Sequence, residues 1–372
     1  MRLVHREIVL LVFLAGVAVV AFLLTRAVAA GNDRMRLDDA AAWYDAGRRD
    51  LAAGRSDAAL TALRRAVSKD RGNRRYQVAL ATALAAAHQD EAARQVLVGL
   101  RDVAPEDAEV NTELARLEAR QGNLSDARRY YQNALNAVWN ADQSDVRRGL
   151  RLELIRLLLG HDEKSRALSE VLLLSANLPD TPAAHVEAGH LFLDAGDARH
   201  ALEQFSEALA FDPQDGPALA GAGESAFALG DYPRARRYLA AAPRGLDRVV
   251  ELQALADLVL TNDPMAPRLS VEERTRRLLV DVQQAAQRVA ACVATLAPDS
   301  AGRAALEVIQ HDAAAFEPTL NLGAVRELPD AIESGLELVD RMEQHTQQGC
   351  APMTARDRAL LLIARAHGIN EQ

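Results

Sequence analysis

Between residues 40 and 261, apolar side chains return at three- and four-residue spacing in segments of helical length, each ended by a polar turn. Gly54, Gly122, Gly160, Gly196 and Gly230 each close one such segment, in a register that repeats at 34 residues. A fixed period of helix, tight turn and helix predicts a solenoid, because one hairpin cannot bury its apolar stripe alone and stacked neighbours bury it together. A chain of this kind is built to present a surface.

Residues 182–215 show the pattern most completely. Counting Pro182 as the first position, Gly189, Phe192, Gly196, Ala201, Phe205, Ala208 and Pro213 hold positions eight, eleven, fifteen, twenty, twenty-four, twenty-seven and thirty-two. Residues 216–249 continue in phase with Gly223, Gly230, Ala235, Leu239 and Ala242, until Pro243 cuts the second helix short. Three further units abut without a gap: 40–73 with Trp43, Gly47, Gly54, Ala59, Leu63 and Ala66; 74–107 with Leu80, Ala93, Leu97 and Pro105; 108–141 with Leu114, Gly122, Ala127, Tyr131 and Ala134. Between about 144 and 179, Gly160 and Ala167 stand two residues too far apart, which reads as an insertion in the turn. The small residues Ala59, Ala127, Ala201 and Ala235 belong where two helices cross closely. Glycine supplies the left-handed conformation that ends a first helix, and Phe192, Phe205, Tyr131 and Leu239 fill the space between hairpins.

These offsets resemble the tetratricopeptide repeat, over roughly residues 40–249. The resemblance implies an all-α chain: a right-handed α-solenoid of about six helix hairpins plus a capping helix. In that family the first helices of the hairpins line a concave groove that receives a peptide or a partner helix. Mapped onto this chain, the groove positions are Tyr44, Asp45, Arg48, Thr82, Thr112, Glu113, Arg116, Glu187, His190, Asp194, Glu224 and Phe227. The basic and asparagine clamp of the family's chaperone-tail readers does not stand at these positions, which disfavours a cytosolic co-chaperone.

Residues 8–24 form a run of seventeen uncharged, mostly apolar residues behind Arg2, His5 and Arg6. As a helix the run spans roughly 26 Å, and Thr25 with a snorkelling Arg26 extends it toward the ~30 Å of a hydrocarbon core. Residues 1–30 are expected to form a transmembrane anchor, followed by a short linker over 31–39. Small residues at Ala27, Val28, Ala29 and Ala30 leave open cleavage of a signal peptide near Ala29 and Ala30 instead. For a bacterium the expectation is a single-pass inner-membrane protein with the bulk of the chain in the periplasm.

After the solenoid of residues 40–261, the segment 262–269 (Asn262, Asp263, Pro264, Met265, Ala266, Pro267 and on) interrupts the helical pattern, and residues 270–372 are expected to form a helical unit of four helices. Ser270 with Glu273, and Thr354 with Asp357, are capping boxes ahead of its first and last helices. Cys292 and Cys350, the two cysteines of the chain, sit near the end of the first helix and just before the last. They form a candidate disulfide if this region is exported, with two independent thiols as the alternative.

Composition narrows the function classes. Of 372 residues 49% are hydrophobic but 4% aromatic, so the core is Ala, Leu and Val, which suits close-packed helices and not a β-sandwich. The net charge of −9 with no long basic run argues against nucleic-acid binding. His185 and His190 lie five apart, off one helical face, and do not match a metalloprotease motif. Residues 221–226 superficially match a dinucleotide fingerprint but follow no strand, and Phe227 stands where a nucleophile elbow needs glycine. No cofactor, metal or small-molecule substrate is expected, and no catalytic residue is assigned. The leading expectation is a membrane-tethered scaffold that binds proteins of an envelope assembly. The alternatives are a periplasmic assembly chaperone of the cytochrome-maturation or export type, and an enzyme using His311, Asp312, Glu317 and His345 of the carboxy-terminal unit.

Overall fold

The computed structural model describes residues 2–243, 245–321, 330–347 and 350–367, without the side chains of residues 2–15, 18 and 141. Its regular elements among these residues are helices, and they divide into two compact units, Met1–His161 and Asp162–Gln372.

The first unit holds seven α-helices: α1 (Arg2–Ala52), α2 (Ser56–Lys69), α3 (Arg74–Ala86), α4 (Asp90–Val103), α5 (Ala108–Arg120), α6 (Leu124–Asn136) and α7 (Ser144–Gly160). Pairs α1/α2, α3/α4 and α5/α6 are antiparallel hairpins, each packed on the next. The second unit continues with α8 (Lys164–Ser175), α9 (Pro182–Asp194), α10 (Ala198–Phe211), α11 (Gly216–Ala228), α12 (Tyr232–Ala241) and α13 (Asp247–Asn262), then α14 (Val271–Thr295), α15 (Ala301–Phe316), α16 (Ala331–Thr346) and α17 (Ala355–His367).

One contact recurs in the hairpins α1/α2, α9/α10 and α11/α12. A small residue of the first helix lies under a large one of the second, so closely that a methyl on Gly47 would sit 2.5 Å from Leu63 Cγ, one on Gly189 2.7 Å from the Phe205 ring, and one on Gly223 2.6 Å from Leu239. Only glycine lets the axes approach this far with Leu or Phe opposite. Phe205 is also pressed from the other side by Gly221 of the next hairpin, so one fully buried ring ties two repeats together.

The turns correct the sequence reading at one place. Left-handed residues occur at Gly54, His88, Gly122, Asp162, Gly196 and Gly230, and each precedes by five positions a fully buried alanine: Ala59, Ala93, Ala127, Ala167, Ala201 and Ala235. The residue that turns the chain before α8 is therefore Asp162 and not Gly160, which is the last residue of α7. Asp tolerates the left-handed region because its short polar side chain can bond locally. The turn carries no insertion. The extra residues lie earlier, in the 3₁₀ turn Ala141–Gln143 and a 17-residue α7, where the other first helices of the array have 13 residues inside the repeat.

Many helix starts are capped by a short polar side chain, two of them (Asp197 and Asp231) directly after these turns. Asp107, Thr181, Asp197, Asp215, Asp231, Ser270 and Ser300 each accept a bond from the backbone N–H three positions on. Thr354 and Asp357 cap α17 reciprocally: Thr354 N–H donates to Asp357 Oδ2 at 2.8 Å and Asp357 N–H to Thr354 Oγ1 at 3.2 Å.

The four helices α14–α17 do not close a core of their own. Their apolar residues (Leu278, Val282, Val289, Leu336, Met342, Leu360, Ile363) form one cluster with Ala256 and Val259 of α13 and Tyr232 of α12. Helix α13 packs on α12 and on α17, and Arg358 of α17 donates to Glu251 of α13 at 2.5 Å. The array is thus continued by the bundle. Cys292 and Cys350 are joined in a disulfide, with Cα atoms 5.3 Å apart. Beside it the largely buried Arg288 donates to Asp357 Oδ2 at 2.9 Å, Thr346 Oγ1 at 3.0 Å and the Ala351 carbonyl at 2.9 Å. Bridge and guanidinium together hold the segment leading into α17.

Two carboxyls are buried in this bundle. Asp281 is 1% exposed with neither oxygen hydrogen-bonded, and its burial pushes its pKa up to about 8 against the opposing pull of Arg356 and Arg277. Burial and the nearby Asp357 push Glu343 up to about 7, although Arg288 stands 3.5 Å away.

Helix α1 runs unbroken through residues 31–39, where the sequence pattern suggests a linker. Asp33 pairs there with Arg36 one turn on, at 3.4 Å. Among the described residues no helix is long and apolar enough to cross a membrane. The expected membrane segment, residues 8–24, falls largely on side chains outside the described ones.

Candidate functional site

The first helices of successive hairpins stand side by side, so their outward positions form one continuous face in each unit. In the first unit this face is a closed polar ladder. Thr82 of α3 donates to Glu113 Oε2 of α5 at 3.0 Å. Arg116, one turn further along α5, donates to Glu113 at 2.8 Å and reaches Glu153 of α7 with two bonds, at 2.9 and 2.7 Å. Tyr131 of α6 donates to the same Glu153 at 3.2 Å. The hydrogen bonds to Glu153 raise the Arg116 pKa, and burial, reinforced by Glu153, raises that of Tyr131. Thr82, Glu113 and Arg116 are therefore committed to tying α3, α5 and α7 together. Thr112 turns back on its own helix, donating to the Ala108 carbonyl at 2.7 Å.

The remaining positions of this unit gather at α1 and α3. Tyr44 and Tyr76 have ring centroids 4.8 Å apart, and the guanidinium of Arg48 lies 5.9 Å from the Tyr44 ring. Burial raises the Tyr76 pKa, helped by Asp70 and then by Asp45. The site is an aromatic pair flanked by an exposed Arg48 and an exposed Asp45.

In the second unit the corresponding face opens into a pocket of about 270 Å³ between α9, α11 and α13. It brings together four residues anticipated from sequence, His190, Asp194, Glu224 and Phe227, with Leu193, Ala228, Arg248 and Leu252. Two of its rings are braced from behind: His190 meets Phe205 edge-on at 5.1 Å, and Phe227 meets Tyr232 edge-on at 5.2 Å. Arg248 reaches Glu224 at 3.3 Å and Glu251 at 3.5 Å. Glu187 lies one repeat of the helical pattern up α9, half-buried and outside the lining. Arg248 and Leu252 escape a sequence reading because α13 looks like a cap with no repeat partner. The 34-residue phase gives no signal for them, since the positions one period earlier, Gln214 and Ala218, do not line the pocket.

The sequence candidates for chemistry in the bundle are scattered. Asp312 pairs with Arg341 at 2.8 Å, Glu317 accepts from Gln283 at 2.6 Å, His345 Nδ1 lies 2.9 Å from the Arg341 carbonyl, and His311 is exposed on α15. His185 is engaged with Gln204 Oε1 at 3.0 Å and stacks on Phe211, away from His190. Among the described residues no three His, Cys, Asp or Glu side chains group as metal ligands.

Comparison with known proteins agrees with the repeat geometry. The tetratricopeptide-repeat family model matches residues 50–117 and 192–256, one stretch in each unit. Among solved structures, PilF of Pseudomonas aeruginosa is similar at 17% identity with a TM-score of 0.43, covering 59% of this chain and 98% of its own. A tetratricopeptide-repeat protein of Thermus thermophilus is similar at 23% identity and a TM-score of 0.34, over 51% and 98%. PilW, a type IV pilus biogenesis factor, is similar at 17% identity and a TM-score of 0.39, over 54% and 90%. No curated protein matches the sequence.

Proposed function

We propose that this chain, which carries tetratricopeptide repeats in both of its compact units, is a membrane-tethered scaffold that docks partner proteins outside the cytoplasm. Docking is carried by one observation: three successive first helices, α9, α11 and α13, converge on a pocket that mixes braced aromatic, aliphatic and charged side chains. The ladder of the first unit has its polar groups satisfied internally and is a stiffening element beside an aromatic patch at Tyr44 and Tyr76. This reading gives the chain no catalytic step.

Tethering is supported by the apolar run 8–24 and by its described part, where Val17, Val19, Val20, Phe22, Leu23 and Leu24 are each at least half exposed on α1. Exposed apolar patches of this kind mark interaction surfaces, a bilayer among them. An extracytoplasmic bulk is supported by the Cys292–Cys350 disulfide, since such bonds persist in oxidising compartments. A role in positioning partners of an envelope assembly follows from docking and tethering together. The test is affinity capture of the full chain from membranes, wild type against Asp194→Arg/Phe227→Ala, with quantitative mass spectrometry. Partners lost from the variant support the reading; an identical set from both overturns docking at this face.

A further inference from the structure

The pocket between α9, α11 and α13 is small. At about 270 Å³ it sits at the lower end of the volumes of small-molecule sites and has room for one side chain of a larger partner. Its charges then say which side chain.

Asp194 on α9 is exposed and has no hydrogen bond or ion pair among the described residues. Glu224 on α11 has a single described partner, Arg248, and Arg248 is divided between Glu224 at 3.3 Å and Glu251 at 3.5 Å. Glu251 lies outside the lining and is held more closely by Arg358, at 2.5 Å. Arg248 is thus already shared between two acids, while two carboxylates, Asp194 and Glu224, line the opening from adjacent helices. A negatively charged guest would meet the carboxylate of Asp194 and a Glu224 that Arg248, shared with Glu251, only partly neutralises. A positively charged guest would complete an alternating row, and it would also find the face of Phe227, which attracts cations. Displacing Arg248 from Glu224 costs little, because the pair is exposed and such pairs contribute ~0–1 kcal/mol. Leu193, Ala228 and Leu252 supply apolar lining beside the charges.

We infer that this pocket recognises a basic residue, arginine or lysine, flanked by an apolar residue in a partner polypeptide. The inference rests on the reading of this face as a docking surface and names the chemistry of what docks. Specificity comes from complementary charge at the rim and affinity from the apolar lining.

The experiment uses the full chain, purified in detergent, on an array of random nonapeptides, followed by fluorescence anisotropy on the peptides selected. Bound sequences should be enriched in Arg or Lys next to Leu, Ile or Phe. Asp194→Asn and Glu224→Gln should each weaken a selected peptide about 2–5-fold, the value of one exposed ion pair. Arg248→Ala should tighten the same peptide by a similar factor, because it frees Glu224; a gain of this kind cannot come from misfolding. Peptides that bind through Phe227 but show acidic enrichment or no charge preference would overturn the charge assignment and leave docking at this face intact. No bound peptide at all would overturn both.

Discussion

A single buried ring offers the sharpest test of how the hairpins cohere. Phe205 is fully buried between Gly189 of its own hairpin and Gly221 of the next, and a methyl on Gly221 would come within 3.0 Å of its ring atoms. Gly221→Ala therefore has two effects of opposite sign. Alanine in a helix interior gains up to ~1 kcal/mol over glycine, while forcing a methyl into a filled site costs about 1–3 kcal/mol. The cost should sit at the top of that range, because Gly189 blocks the ring from retreating the other way. Gly99→Ala supplies the reference: Gly99 is also inside a helix, α4, but a methyl there meets nothing within 4 Å. The two substitutions share the propensity gain, so their difference isolates the clash at about 3 kcal/mol. Native-state hydrogen exchange of α11 amides reads the local opening free energy for Gly221→Ala, and of α4 amides for Gly99→Ala. Phe205→Leu, costing ~2 kcal/mol alone, should relieve Gly221→Ala when combined with it, so that the pair costs less than the sum. If Gly221→Ala stabilises α11 as much as Gly99→Ala stabilises α4, the Phe205 interlock is wrong.

Other expectations follow from the bundle and the ladder. The Asp281 carboxyl has its pKa raised to about 8 in the folded chain from an ordinary value of 3.8, so the folded state holds a proton the unfolded state has lost. Its contribution is fully present below about pH 4 and is lost as the pH rises through about 8. The urea midpoint of the bundle should fall between a mildly acidic and a mildly alkaline buffer, and Asp281→Asn should flatten that slope; an unchanged slope refutes the assignment. Reducing the Cys292–Cys350 bridge, which spans a sequence separation of 58, should lower stability by ~4 kcal/mol on the loop-entropy estimate. Calorimetry with and without reductant decides this, and coincident transitions would count against it. Arg116→Ala leaves Glu113 and Glu153 facing one another across α5 and α7, and should cost on the order of 1 kcal/mol. The double-mutant cycle with Glu153→Gln measures how much of that loss is the pair.

The repeat is legible because its constraints are local and recur. Gly47, Gly189 and Gly223 opposite Leu63, Phe205 and Leu239 are read directly from spacing, since close helix crossings tolerate few residue types. The turn before α8 is misread because Asp162 takes a conformation usually given to glycine, and Gly160 stands nearby as a decoy. The left-handed His88 escapes notice for the same reason. Groove positions are legible as positions but not as roles: nothing in the spacing tells that Arg116 and Thr82 are consumed by partners on neighbouring helices, because Glu153 sits on a helix displaced from the period by the extra residues before it. Arg248 belongs to a helix whose pattern has no further repeat to compare with. The shared core of α13 with α14–α17 is a long-range contact across the helix break at Pro264 and Pro267, and amphipathic periodicity alone does not say which faces meet.

The proposed function stands on the docking of a partner protein at the α9/α11/α13 face. A photo-crosslinking amino acid placed in living cells at His190, Asp194 and Phe227, and for comparison at Arg199 and Glu203 on the exposed side of α10, tests it most directly. The first three positions should join the same partner at one site on its sequence, with a basic residue near the crosslink, and the α10 positions should not. Equal capture from α10, or crosslinks from the three pocket positions to unrelated proteins without a common contact, would contradict it.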